Sequence, residues 1–65
     1  MDSSIESQWT EMKQLMESLE LEVVKNAHGN AAAGVRARRG LRMLKSKSSS
    51  LIKTTVELDK ARKAK

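Results

Sequence analysis

The stretch His28-Gly29-Asn30-Ala31-Ala32-Ala33-Gly34-Val35-Arg36-Ala37-Arg38-Arg39 lies near the middle of a 65-residue chain, and its first three residues decide the fold. Gly29 can adopt the left-handed backbone that ends a helix, and the Asn30 side chain can cap the helix that follows. Helices on either side would then reverse direction within three residues. The sequence predicts a single domain over residues 1–65, with helix one at about residues 3–27, a turn at 28–30 and helix two at about 31–63.

Upstream of the turn, Ile5, Trp9, Met12, Met16, Leu19 and Val23 follow at spacings of 4, 3, 4, 3 and 4, which keeps one apolar stripe on one side of a helix. Leu15 widens it. Ser3 and Glu6 have the spacing of a capping box, and Asp2 and Glu6 suit the positive end of the helix dipole. Downstream, Gly34, Ala37, Leu41, Leu44, Ser48, Leu51, Thr55 and Leu58 keep the same alternation of 3 and 4. Gly34, Gly40 and the serines at 46 and 48–50 are weak helix formers, and a break near Ser48–Ser50 is the main alternative. The stripe keeps its phase through the serines, which favours one long helix.

Folding back at Gly29 pairs positions whose numbers sum to about 58, setting Val23 against Gly34, Leu19 near Ala37, Met16 near Leu41 and Trp9 near Ser48. Large residues meet small ones, as close packing requires. The expected fold is all-α, an antiparallel helical hairpin with a coiled-coil-like seam. Leu15, Leu21, Val24, Val35, Met43, Ile52 and Val56 keep little cover in a lone hairpin. Dimerisation into a four-helix bundle is therefore expected, with a tetramer as the other assembly.

Composition narrows the chemistry. The chain has no cysteine and no proline, and Trp9 is its one aromatic residue. Disulfides and thiolate metal sites are excluded, and a strand-rich fold is disfavoured. Residues 1–30 hold six acids and two lysines, a balance of −4; residues 31–65 hold eleven Lys or Arg and two acids, a balance of +9. These sum to the +5 of the whole chain, which points to a polyanionic partner. No run of about 18 apolar residues exists for a membrane span, and no signal peptide is visible at the N-terminus, so a cytoplasmic location is expected.

No catalytic set assembles around His28, the single histidine, which reads as a solvated turn residue. Glu17, Glu20 and Glu22 read as the wet face of helix one, and no phosphate-cradling glycine loop is present. Neither an enzyme, a metal, a cofactor nor a small-molecule substrate is expected. The informative cluster is Arg36, Arg38, Arg39, Arg42, Lys45 and Lys47, followed by Lys53, Lys60, Arg62 and Lys63. Arginine forks grip phosphates at two points and lysines add charge, so such a surface binds a phosphate backbone with little base preference. The helix start behind Asn30 adds a further anion-attracting end. Arg38, Arg42, Lys45 and Ser49 share one ridge, while Arg36 and Arg39 lie towards the other flank. Part of this charge can pair with Glu17, Glu20 or Glu22, but an excess remains. Because base stacking on single strands and RNA loops usually uses several aromatic residues, double-stranded DNA is the expected partner.

Gly29 through Arg39 also resembles the signature of the chlamydial histone-like nucleoid protein family and its short bacterial relatives, similar to G-N-x-A-A-G-x-R-x-R-[KR]. The matching positions are Gly29, Asn30, Ala32, Ala33, Gly34, Arg36, Arg38 and Arg39, and the likeness in character extends over about residues 5–62. The resemblance implies a small DNA-binding protein that compacts or organises the bacterial chromosome, in a role similar to that of linker histones. Two departures stand out: lysine is common where this chain has Ala31, and the long Lys/Ala-rich tail of chlamydial members is reduced to Lys60–Lys65. The helical part is then expected to do the binding. Two other functions stay open at this point: a coiled-coil adaptor pairing with another helical chain, and an RNA-associated factor.

Overall fold

The computed structural model describes residues 3–63 as two antiparallel α-helices, α1 (Ser3–Ala27) and α2 (Ala31–Lys63), in a rod of 54 × 16 × 12 Å. Asp2, the side chain of Ser3 and Lys65, which entered the capping, charge and tail arguments, lie outside the described residues. No strand occurs among the described residues. At 1.5 Å per residue α1 is about 37 Å long and α2 about 50 Å.

The turn is built by Gly29 and Asn30 together. Gly29 has φ 97°, the left-handed conformation in which any side chain would be strained. Its amide donates to the Asn26 carbonyl at 2.9 Å, and the Asn30 amide reaches back to the Lys25 carbonyl at 3.0 Å. Those two bonds are the Schellman pair, which satisfies carbonyls left open at the end of α1. The same Asn30 opens α2: its Oδ1 accepts the Ala33 amide at 2.9 Å and its carbonyl accepts the Gly34 amide at 3.2 Å. The Asn26 side chain donates to the Asn30 carbonyl at 3.2 Å and lies over Gly34. One residue thus closes α1 and opens α2, leaving no slack between them.

Small residues line the near end of α2. Ala33, Gly34, Ala37 and Gly40 are buried, and the two buried large residues of α1 are Leu19, opposite Gly40, and Met12 further along the rod. Leu19 lies directly on Gly40, where a Cβ would collide with its side chain. Gly40, outside the expected stripe, is therefore a point of close contact between the helices. Helix α2 continues through Ser46–Ser50, and Thr54 and Thr55 donate to the carbonyls of Ser50 and Ile52 on their own helix.

On α1 the contact line is turned from the expected stripe by about one position, whereas α2 keeps the expected stripe apart from Leu41 and widens it to Gly40, Lys47 and Thr54. Buried or half-buried residues are Ile5, Gln8, Met12, Leu15, Leu19 and Glu22 on α1, and Ala33, Gly34, Ala37, Gly40, Leu44, Lys47, Ser48, Leu51, Thr54, Thr55 and Leu58 on α2. The pairs Glu22–Arg36, Glu11–Lys47, Leu19–Gly40 and Gln8–Thr54 keep number sums of 58 to 62. Trp9, Met16, Val23 and Leu41, expected on the seam, are instead 45–53% exposed. Asn26, and not Val23, lies over Gly34; Leu19 sits on Gly40, one turn from the buried Ala37; and Trp9 is not enclosed by a groove at Ser48. The physical reason is Gly40: with no side chain it accepts Leu19 at closer range than Leu41 would, and α1 is turned towards it. Leu15 gains partial cover, whereas Leu21, Val24, Val35, Met43, Ile52 and Val56 stay exposed.

Valine at position 40 must displace Leu19 from a packed site. Gly40→Val is expected to lower stability by about 1–3 kcal/mol in urea melts, with a smaller loss on a Leu19→Ala background. Equal losses on both backgrounds would contradict the Leu19–Gly40 contact.

Candidate nucleic-acid interface

The rotation of α2 about its seam sorts its cations into three groups. On one flat face of the hairpin, Arg36 pairs with Glu22 and Lys47 lies 3.4 Å from Glu11. Gln8 extends the same face, donating to Thr54 at 3.1 Å and Ser4 at 3.3 Å, while its Oε1 is buried without a partner. These groups stitch the helices together along a polar face.

On the side of α2 turned away from α1 lies a ridge at spacings of 3 and 4: Arg39, Arg42, Ser46, Ser49, Lys53 and, one heptad on, Lys60. All six are exposed. Arg38 and Lys45 flank it, also exposed. None of the six cations here pairs with an acid among the described residues. From Arg39 to Lys60 the ridge spans about 32 Å. At the far end, where α2 runs past the start of α1, Arg62 is 3.7 Å from Asp59 and Lys63 is exposed. Surface ion pairs of this kind contribute about 0–1 kcal/mol, so Arg62 keeps its charge available to a stronger anion.

The expected binding residues therefore divide. Arg38, Arg39, Arg42, Lys45, Lys53, Lys60 and Lys63 are outward and unpaired among the described residues; Arg36 and Lys47 serve the polar face; Asn30 spends its side-chain oxygen on the Ala33 amide. Ser46 belongs with the ridge although charge counting passes over it, and its 7-residue distance from Arg39 and Lys53 was the available signal. His28 is exposed in the turn, and no group of three His, Cys, Asp or Glu residues is placed to hold a metal among the described residues. No helix of the described residues is long and apolar enough to cross a membrane.

The third surface is apolar. Met16, Leu19, Val23, Val24, Leu41 and Leu44 line one open groove together with Glu20, on the flat face opposite the ion pairs. Trp9 continues that face by heptad spacing from Met16.

A family model described as histone H1-like protein Hc1 matches residues 6–60. No curated protein and no solved structure matches.

On a heparin column, Arg39→Gln with Arg42→Gln is expected to elute at clearly lower salt than the unaltered chain. Arg36→Gln with Lys47→Gln removes the same formal charge and should elute measurably later than that pair. Equal elution of the two double variants would mean that net charge, and not the ridge, governs anion binding.

Proposed function

This chain belongs to the histone H1-like protein Hc1 family, and from that premise we propose that it binds double-stranded DNA through the phosphate backbone, as a homodimer that organises the bacterial chromosome. The observation that carries the proposal is the outer side of α2, where the four cations of the ridge and the flanking Arg38 and Lys45 are exposed and form no ion pair among the described residues. A row of guanidinium, ammonium and hydroxyl donors matches a continuous phosphate strand, and the charge of the row favours backbone contact over base selection. Its work is positional and electrostatic. The location that follows is the nucleoid.

Pairing of two chains is supported by the core. Among the described residues the buried hydrophobic ones are Met12, Leu19, Ala33 and Ala37, a small set for a hairpin of this length, while an apolar face stays open beside them. A second copy covers that face and completes a four-helix bundle.

If about six phosphates are engaged, log K falls against log salt with a slope near −5 for unrelated duplex sequences alike. A gel-shift salt series on two random duplexes, with structured RNA as competitor, tests this. Salt-insensitive binding, or binding confined to one duplex or to RNA, would contradict it. Sedimentation of the free protein is expected to give the mass of two chains.

A further inference from the structure

The two flat faces of the hairpin differ, and so do its two edges. One face is closed by Glu22–Arg36, Glu11–Lys47 and Gln8–Thr54. The other carries Trp9, Met16, Val23 and Leu41, each about half-exposed, with Ile52 beyond them. Across the rod the charge is lopsided. Helix α1 holds five acids and two lysines, −3, whereas α2 holds ten Lys or Arg and two acids, +8.

Two hairpins can stack through their apolar faces in two symmetric ways. In the first, α1 lies on the partner's α1 and α2 on the partner's α2. That order places a helix of +8 against another of +8 at the 8–10 Å spacing of packed helices, within about one Debye length at 0.1 M salt. In the second, the order is reversed, and each α1 of −3 covers an α2 of +8. Both orders use the same apolar face, so charge is what distinguishes them.

We propose that two copies of this chain stack through the Trp9–Met16–Val23–Leu41 face with α1 of each over α2 of the other, which points the two DNA-binding ridges in opposite directions and lets one dimer hold two duplexes. The proposal rests on the ridge of α2 being the duplex-binding surface. The two-fold axis then runs along the rod and both turns lie at the same end. Leu19 is level with Gly40 within a hairpin, so in this stack the partner's Glu20 comes level with Arg38 and Arg39, and the partner's Lys13 with Ser46. The partner's Trp9 approaches Ile52, covering two large residues that a lone hairpin leaves open. The two α2 helices occupy diagonal corners of the bundle. Arg39, Arg42, Lys53 and Lys60 therefore face outward on opposite sides, too far around the bundle to grip one straight duplex together. The assembly is a bridge and not a one-sided bending surface.

Because the chain has no cysteine, introduced thiols report the stacking order directly. Met16→Cys chains mixed with Leu41→Cys chains and oxidised are expected to give mainly the mixed disulfide, since Met16 of one copy lies over Leu41 of the other. Predominance of Met16→Cys homodimers, or no disulfide at all, would overturn the proposed order. The cross-linked dimer should then carry a labelled duplex onto beads that bear a second duplex, with capture lost when Arg39→Gln and Arg42→Gln are introduced in one of the two chains. A dimer that binds duplex in a gel shift yet captures no second one would overturn bridging. A dimer that binds no duplex at all would overturn the DNA-binding reading itself, while the disulfide pattern would still decide the stacking.

Discussion

The amide of Asn30 reaches back to Lys25 while its side chain accepts the amide of Ala33, so one residue ends α1 and begins α2. With Gly29 in the left-handed region beside it, the reversal has no spare residue in which register could slip. Every surface of the rod inherits that register. A shift of one position on α2 would turn Arg39 and Arg42 by about 100° around the helix and scatter the outward ridge. Leu19 resting on Gly40, eleven residues from Gly29 along α2, holds the rotation that the turn begins.

From this follows a division of labour around α2. Its inner side is small near the turn, which brings the helices close; one flank exchanges charge with Glu22 and Glu11; the outer side keeps its cations for another molecule. Exposed ion pairs contribute about 0–1 kcal/mol each, so the polar face aligns the helices more than it stabilises them. Stability has to come from apolar burial, and the lone hairpin buries little. The proposed assembly and polyanion binding are in this sense consequences of one arrangement: the apolar face lies open in the lone hairpin, and the charged edge is on the side of α2 away from the seam.

The hairpin was legible in the sequence because its determinants are local. Gly29 and Asn30 are the residue types that a left-handed stop and a cap demand, and the 3–4 alternation on both sides carries the helices. The rotation about the seam was not legible, because it depends on which small residue accepts which large one across the interface. Gly40 looked like a weak helix former and is where Leu19 packs; Gln8 lies off the apolar stripe and faces Thr54. Trp9 looked like core by spacing and lies half-open on the apolar face. The motif Gly29–Arg39 reads differently with the geometry known. Gly29, Asn30, Ala33 and Gly34 build the turn and the close approach, Arg36 holds Glu22, and Arg38 and Arg39 are the motif's outward cations. Much of a signature associated with a DNA-binding family is thus spent on shaping the hairpin that aims the ridge.

The most direct test of that claim is a residue-by-residue map of the contact, from amide chemical shifts of the labelled protein titrated with a short duplex. The largest changes are predicted at Arg39, Arg42, Ser46, Ser49 and Lys53, with Glu11, Glu22 and Met16 little affected. Changes centred on the Glu22–Arg36 face, on the Met16–Leu41 groove or on α1 would contradict it.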